Sequence, residues 1–293
     1  MTNTQQPGRS VSQMIKTDAR SKGVRQDIIE KDYALSYLLA AIAATDGMGD
    51  HLVLKGGSAL KKLYFEKYRF SEDLDYSTEV IGPLREADSL MQAVIRQMNL
   101  TLNERGPFQV SFEPLILPQT HPGDQKAYIV RVRFPDQRQP LCRLKVEITT
   151  DEPIIVPVEI RPVIHGFPEE FQVNVPVYAL TEIAAEKLHA LLQSRERLQE
   201  RGWGASRVCR DYYDLWYLLQ QPVVNSADLI PLIREKCAVR NVSFATLHDF
   251  IPEDLLDVAR SEWTQQLLPF VPDAPPAVDL LTQVQFLILS VIQ

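Results

Sequence analysis

Two aspartates one residue apart, Asp73 and Asp75 in RFSEDLDYS, are the side chains whose type and spacing first suggest chemistry. If DLDYS (73–77) is a strand, alternation puts both carboxylates on one face, ~6–7 Å apart, with Leu74 and Tyr76 on the other. Carboxylates that close repel, and a divalent cation is the usual counter-charge: magnesium takes one or two of them together with substrate phosphates. In RLKVEIT (143–149) the same alternation puts Arg143, Lys145 and Glu147 on one face, so Glu147 is placed to add a third carboxylate. Upstream, LKGGSALKKLY (54–64) offers Gly56 and Gly57, where backbone can approach a ligand closely. Ser58 follows as an N-cap residue, opening a helix whose first N–H groups would face an anion such as a triphosphate. Alone, a Gly-Gly-Ser turn is more often just a turn and an Asp-x-Asp a solvated edge; their ordered conjunction favours a site.

Two polar residues fall on apolar helical stripes. Lys187 lies between Ile183 and Leu191 in EIAAEKLHALL, and Asp211 between the directions of Leu215 and Leu218 in RVCRDYYDLWYLL. A buried charge costs several kcal/mol unless paired, so each calls for an opposite charge, a metal or a phosphate. A Lys187–Asp211 ion pair bracing two helices is the structural alternative. His189 beside them reads equally well as a surface residue. In EKDY (30–33), Lys31 and Asp32 read as a solvated helix face, with a place near the site as the alternative. Tyr212, Tyr213 and Trp216 offer base stacking but sit at core spacing.

The elements that must position these residues follow from periodicity. A helix is expected from about Asp27 to Thr45, a short strand at 52–54, then the glycine turn and a helix over ALKKLYFEKY (59–68). The strand at 73–77 precedes a helix over 83–99 and alternating strands at 108–117, 126–134 and 141–149. Beyond about residue 180 the pattern is helical. The fold class expected is α+β, with a first domain at 1–175 and an all-α domain at 176–293. A chain of 293 residues with a formal charge of −7 does not suit wholesale coating of nucleic acid, but charge is uneven along it. Lys55 to Arg69 carries five basic residues against one acid, and Lys126 to Lys145 six against one; these are solvated faces or, together, a surface for an anionic substrate. Cys142, Cys209 and Cys237 have no metal-ligand spacing and form no disulfide framework, which suits a cytoplasmic setting. The longest apolar runs, 33–44 and 285–292, are shorter than the ~20 residues of a membrane span.

The segments EKDYALSYLL, LKGGSALKKLY, RFSEDLDYS, EKLHAL and RDYYDL, in that order between residues 30 and 215, resemble the AbiEii/AbiGii toxin family, which includes the MenT toxins, within the polymerase-β-type nucleotidyltransferase superfamily. The resemblance implies a nucleotidyltransferase core and a helical domain contributing its lysine and aspartate motifs to the cleft. It implies Gly56, Gly57 and Ser58 at the nucleotide phosphates, Asp73 and Asp75 as ligands of one or two Mg²⁺ ions, Lys187 on phosphate and Asp211 as an essential acid. It further implies a nucleoside triphosphate substrate, the 3′ end of tRNA as acceptor, and a separate antitoxin protein encoded with the toxin. The family's lysine motif usually carries an arginine seven residues on, where this chain has Ser194 followed by Arg195. Transfer to a small molecule or protein side chain, and a vestigial module that binds nucleotide or a partner, are the alternatives.

Overall fold

The chain enters through a helix absent from the sequence expectation, α1 (Val11–Lys22), whose N-terminus is capped by the Ser10 hydroxyl accepting from the Gln13 N–H and whose end is turned by Gly23 at φ 64°. Its buried residues Val11, Ile15 and Ala19 form a narrow stripe in an otherwise polar stretch. Next, α2 (Gln26–Ala43) is buried almost all round. The computed structural model describes residues 10–78, 86–116, 125–150 and 153–291. The chain divides into two units, one of Met1–Leu54, Ser58–Asp151 and Ile160–Pro176, the other of Lys55–Gly57, Glu152–Glu159 and Val177–Gln293.

β1 (Val53–Lys55) runs directly into α3 (Gly56–Ala59), which continues as one wider turn over Leu60–Tyr64. That turn closes with the Phe65 N–H on the Leu60 carbonyl at 2.8 Å, an i→i+5 bond. α3 begins at Gly56, itself left-handed at φ 71°, so Ser58 sits inside the first turn and is not its N-cap, and the helix stops at Tyr64 short of the expected Tyr68. β2 (Asp73–Ser77) is followed by α4 (Ala87–Asn103), β3 (Gln109–Pro114), β4 (Gln125–Arg133) and β5 (Cys142–Thr149). The expected helix start at 83–85 and strand end at 117 lie outside the described residues. Two short strands not anticipated from sequence, β6 (Glu159–Pro162) and β7 (Asn174–Val177), complete a seven-stranded sheet ordered β3-β4-β5-β2-β1-β7-β6. β2 pairs parallel with β5, and β5 antiparallel with β4.

The Lys55–Arg69 run is not the solvated basic face that composition suggested. Lys55, Lys61, Lys62 and Arg69 are all buried. Lys62 bonds the Asp32 carboxylate at 2.9 Å and its carbonyl at 3.0 Å, so Asp32 is also buried, contrary to the solvated-face reading of EKDY. Burial pushes the Lys62 ammonium down, with Asp32 opposing it. Lys61 reaches the Glu66 carbonyl at 2.7 Å, lies over Phe70, and is pushed down to about 8 by burial. The second run, Lys126–Lys145, alternates along β4 and β5 and keeps Arg138 and Arg143 exposed.

The second unit is built on α5 (Leu180–Arg201), α6 (Val208–Leu218), α7 (Ser226–Val239), α8 (Glu253–Glu262) and α9 (Ala277–Val291). α5 packs on both α6 and α7. Tyr212 and Tyr213 are core, the Tyr212 hydroxyl donating to the Phe250 carbonyl. All three cysteines are free and buried, and burial raises their thiols, Cys209 to about 12 and Cys237 to about 11. Among the described residues no helix is long and apolar enough to cross a membrane.

Candidate active site

β2 places the two aspartates as its period requires. Asp73 and Asp75 are half-buried on one face, while Leu74 and Tyr76, 0% and 1% exposed, fill the other. The parallel register sets Asp73 beside Lys145 and Asp75 beside Glu147, so the three carboxylates predicted from sequence share one face of the sheet. Glu147 accepts from Lys145 at 2.8 Å and from the Gln125 amide at 3.3 Å. Among the described residues no three metal-ligating side chains are gathered closely enough to hold a metal by themselves. The donor set still fits magnesium, whose hard oxygen coordination is completed by water and substrate phosphate around one or two carboxylates.

The Ser58 hydroxyl donates to the backbone carbonyl of Asp73, fixing the turn after β1 against the start of β2. Gly56 stands at φ 71°, a left-handed conformation that a Cβ would strain, and this lets the chain pass from strand to helix without an intervening loop.

In the second unit Lys187 bonds the Asp211 carboxylate at 2.7 Å and the Asp214 carboxylate at 2.9 Å. The expected Lys187–Asp211 pair is present, but Asp214, which sequence reading passed over, is the more buried partner, at 0% side-chain exposure against 17% for Asp211. Its signal was available: Asp214 follows Asp211 by three residues on α6, one turn along the same face. One residue before Lys187, Glu186 faces Lys236 at 3.2 Å and Lys55 at 4.0 Å. Burial opposes its ionisation, yet the two lysines hold its carboxyl below the usual range. Glu182 accepts from Lys236 and from the Ile155 and Val156 N–H groups. His189, for which a surface position was one of two readings from sequence, has its Nε2 buried with no hydrogen-bond partner, and burial lowers its pKa to about 4. Arg195 is occupied by Asp249 and the Ser243 carbonyl. A cavity of about 680 Å³, lined by Thr17, Asp18, Arg105 and Glu169 among others, contains none of the predicted site residues.

The family whose model this chain matches is one of nucleotidyltransferases. The fold superposes on MenT4, a nucleotidyltransferase toxin from Mycobacterium tuberculosis H37Rv, with a TM-score of 0.65 over 97% of this chain and 90% of that one, at 20% identity. The chain belongs to the AbiEii family, described as nucleotidyl transferase AbiEii toxin of type IV toxin–antitoxin systems, whose model matches residues 37–284. Terminal uridylyl transferase 4 from Trypanosoma brucei with bound CTP aligns over 94% of this chain and 68% of that one at 15% identity, with a TM-score of 0.27 that is too low to carry an argument. No curated protein matches the sequence.

Proposed function

We propose that this nucleotidyltransferase toxin transfers nucleotides from a nucleoside triphosphate to the 3′ end of tRNA in a Mg²⁺-dependent reaction, and that a separate antitoxin protein is its cellular partner. The observation that carries the metal assignment is the β2–β5 register, which sets Asp75 beside Glu147 on the face that bears Asp73. Asp73 and Asp75, with Glu147 as a third carboxylate, would hold the ion, which supplies charge neutralisation at the phosphates. Gly56, Gly57 and Ser58 seat the triphosphate through backbone N–H groups. Lys187, oriented by Asp211 and Asp214, serves phosphate oxygens on which negative charge grows. The acceptor hydroxyl attacks the α-phosphorus in line; the new P–O bond forms as the α–β bridging P–O bond breaks, and pyrophosphate leaves.

The test is incubation with each α-labelled triphosphate and total RNA, with and without Mg²⁺, resolved by size. Label in tRNA-sized RNA only when Mg²⁺ is present is the expected result. Label in protein or small molecules and none in RNA overturns the acceptor assignment.

A further inference from the structure

With most of the Lys55–Arg69 run buried, a nucleic-acid acceptor needs cationic surface elsewhere, and the loop between α5 and α6 supplies a different kind of surface. Between Ser194 and Arg210 five arginines stand against two glutamates, Glu196 and Glu200. Arg195 is tied to Asp249, and Arg210 to the Gln266 carbonyl and the Phe270 ring. Arg197, Arg201 and Arg207 lie at the surface. Among them is Trp203, 68% exposed, with the Arg201 guanidinium 6.0 Å from its ring. Leaving an indole in water forgoes the stabilisation that burying its apolar surface would bring. Here the backbone holds it out: Gly202 at φ 71° ends α5, and Gly204 at φ 97° folds the loop back until a Cβ there would stand 3.7 Å from that of Arg197. Arg197 and Arg201, four residues apart, share a helical face, and Glu262 accepts from the Arg207 N–H at the loop's far end.

We propose that Trp203, flanked by these arginines, is a stacking platform for a base of the single-stranded acceptor RNA. An exposed aromatic face takes any base, and guanidinium groups beside it meet the flanking phosphates, which is how single strands are held without sequence readout. Lys187 and Arg201 lie fourteen residues apart on α5, about 21 Å along its axis. Such a separation places the platform a few nucleotides upstream of a 3′ end at the chemistry. The proposal rests on the RNA-acceptor reading above.

The test is anisotropy titration of a short 5′-fluorescein single-stranded RNA against wild type, Trp203→Ala, Trp203→Phe and Arg201→Gln, at two salt concentrations, alongside triphosphate affinity by calorimetry. Trp203→Ala should weaken RNA binding about tenfold and Trp203→Phe should recover most of it. Arg201→Gln should flatten the salt dependence, and all variants should bind triphosphate as wild type does. RNA affinity within about twofold of wild type for Trp203→Ala, or no difference between Phe and Ala, overturns the platform even where wild type labels RNA. Trp203-dependent binding with no label transferred to RNA keeps the platform and overturns the acceptor reading instead. An oligonucleotide that wild type does not bind at all overturns the platform.

Discussion

Gly56 carries the sharpest conformational demand in the turn after β1, because at φ 71° it joins the last residue of β1 to a helix with no loop between. Alanine there would be forced into the left-handed region at a cost of about 1–2 kcal/mol, while asparagine tolerates it better. Denaturant melts should therefore rank wild type above Gly56→Asn and both above Gly56→Ala; equal stabilities would mean that the turn relaxes to another conformation. On β2 the demand is electrostatic. Asp75→Asn removes one of three carboxylates on a shared face, so in chelator its melting temperature should equal or exceed that of wild type, while transfer is lost. Loss of stability together with loss of transfer would assign Asp75 a structural role. These residues were legible because a strand has period two, and Asp-x-Asp with a clean apolar complement needs no tertiary information. Ser58 was legible as a residue of the turn but not in the bond its hydroxyl makes, which goes to a carbonyl fifteen residues away, a partner that local rules do not supply.

At the scale of elements, Lys187 and Asp214 decide how α5 and α6 are braced. Lys187→Met removes the ammonium 2.9 Å from the fully buried Asp214 carboxylate and should cost about 3–5 kcal/mol. Pairing it with Asp214→Leu should recover most of that, since Asp211 retains 17% exposure and some hydration. The double variant should fold and remain inactive, as no apolar pair neutralises charge growing on phosphate. Denaturation and transfer assays on the same samples separate the two roles, and an active double variant would reduce the triad to a brace. The long helices of the second unit could be read from their apolar period, but α1 could not: Val11, Ile15 and Ala19 make too thin a stripe in VSQMIKTDARSK to stand out. The four-residue strands EIRP and NVPV, each containing proline, likewise fall below what alternation can signal. The burial of Lys62 was hidden for a third reason, since its partner Asp32 lies thirty residues upstream on a helix that reads as a solvated face.

Across the whole molecule, charge is distributed by folding and not by composition, and this gives stability a pH signature. His189 is held by burial at about 4 against an ordinary value near 6.5, so between those limits the unfolded chain binds a proton that the folded one does not. Stability from this group is present above about pH 6.5 and is lost as pH falls toward 4, by at most about 3 kcal/mol. His189→Gln should flatten the stability profile in that window relative to wild type, and parallel profiles would place the titration elsewhere. The central claim concerns chemistry at the α-phosphorus on the acid-bearing face of the sheet. It is tested most directly by incubating wild type, Asp73→Asn and Asp75→Asn with α-labelled or γ-labelled triphosphate and RNA in Mg²⁺, measuring label in RNA and pyrophosphate released. Wild type should place α-label but no γ-label in RNA, with one pyrophosphate per nucleotide added, and either variant should do neither; γ-label in RNA, or near-normal transfer by both variants, would contradict it.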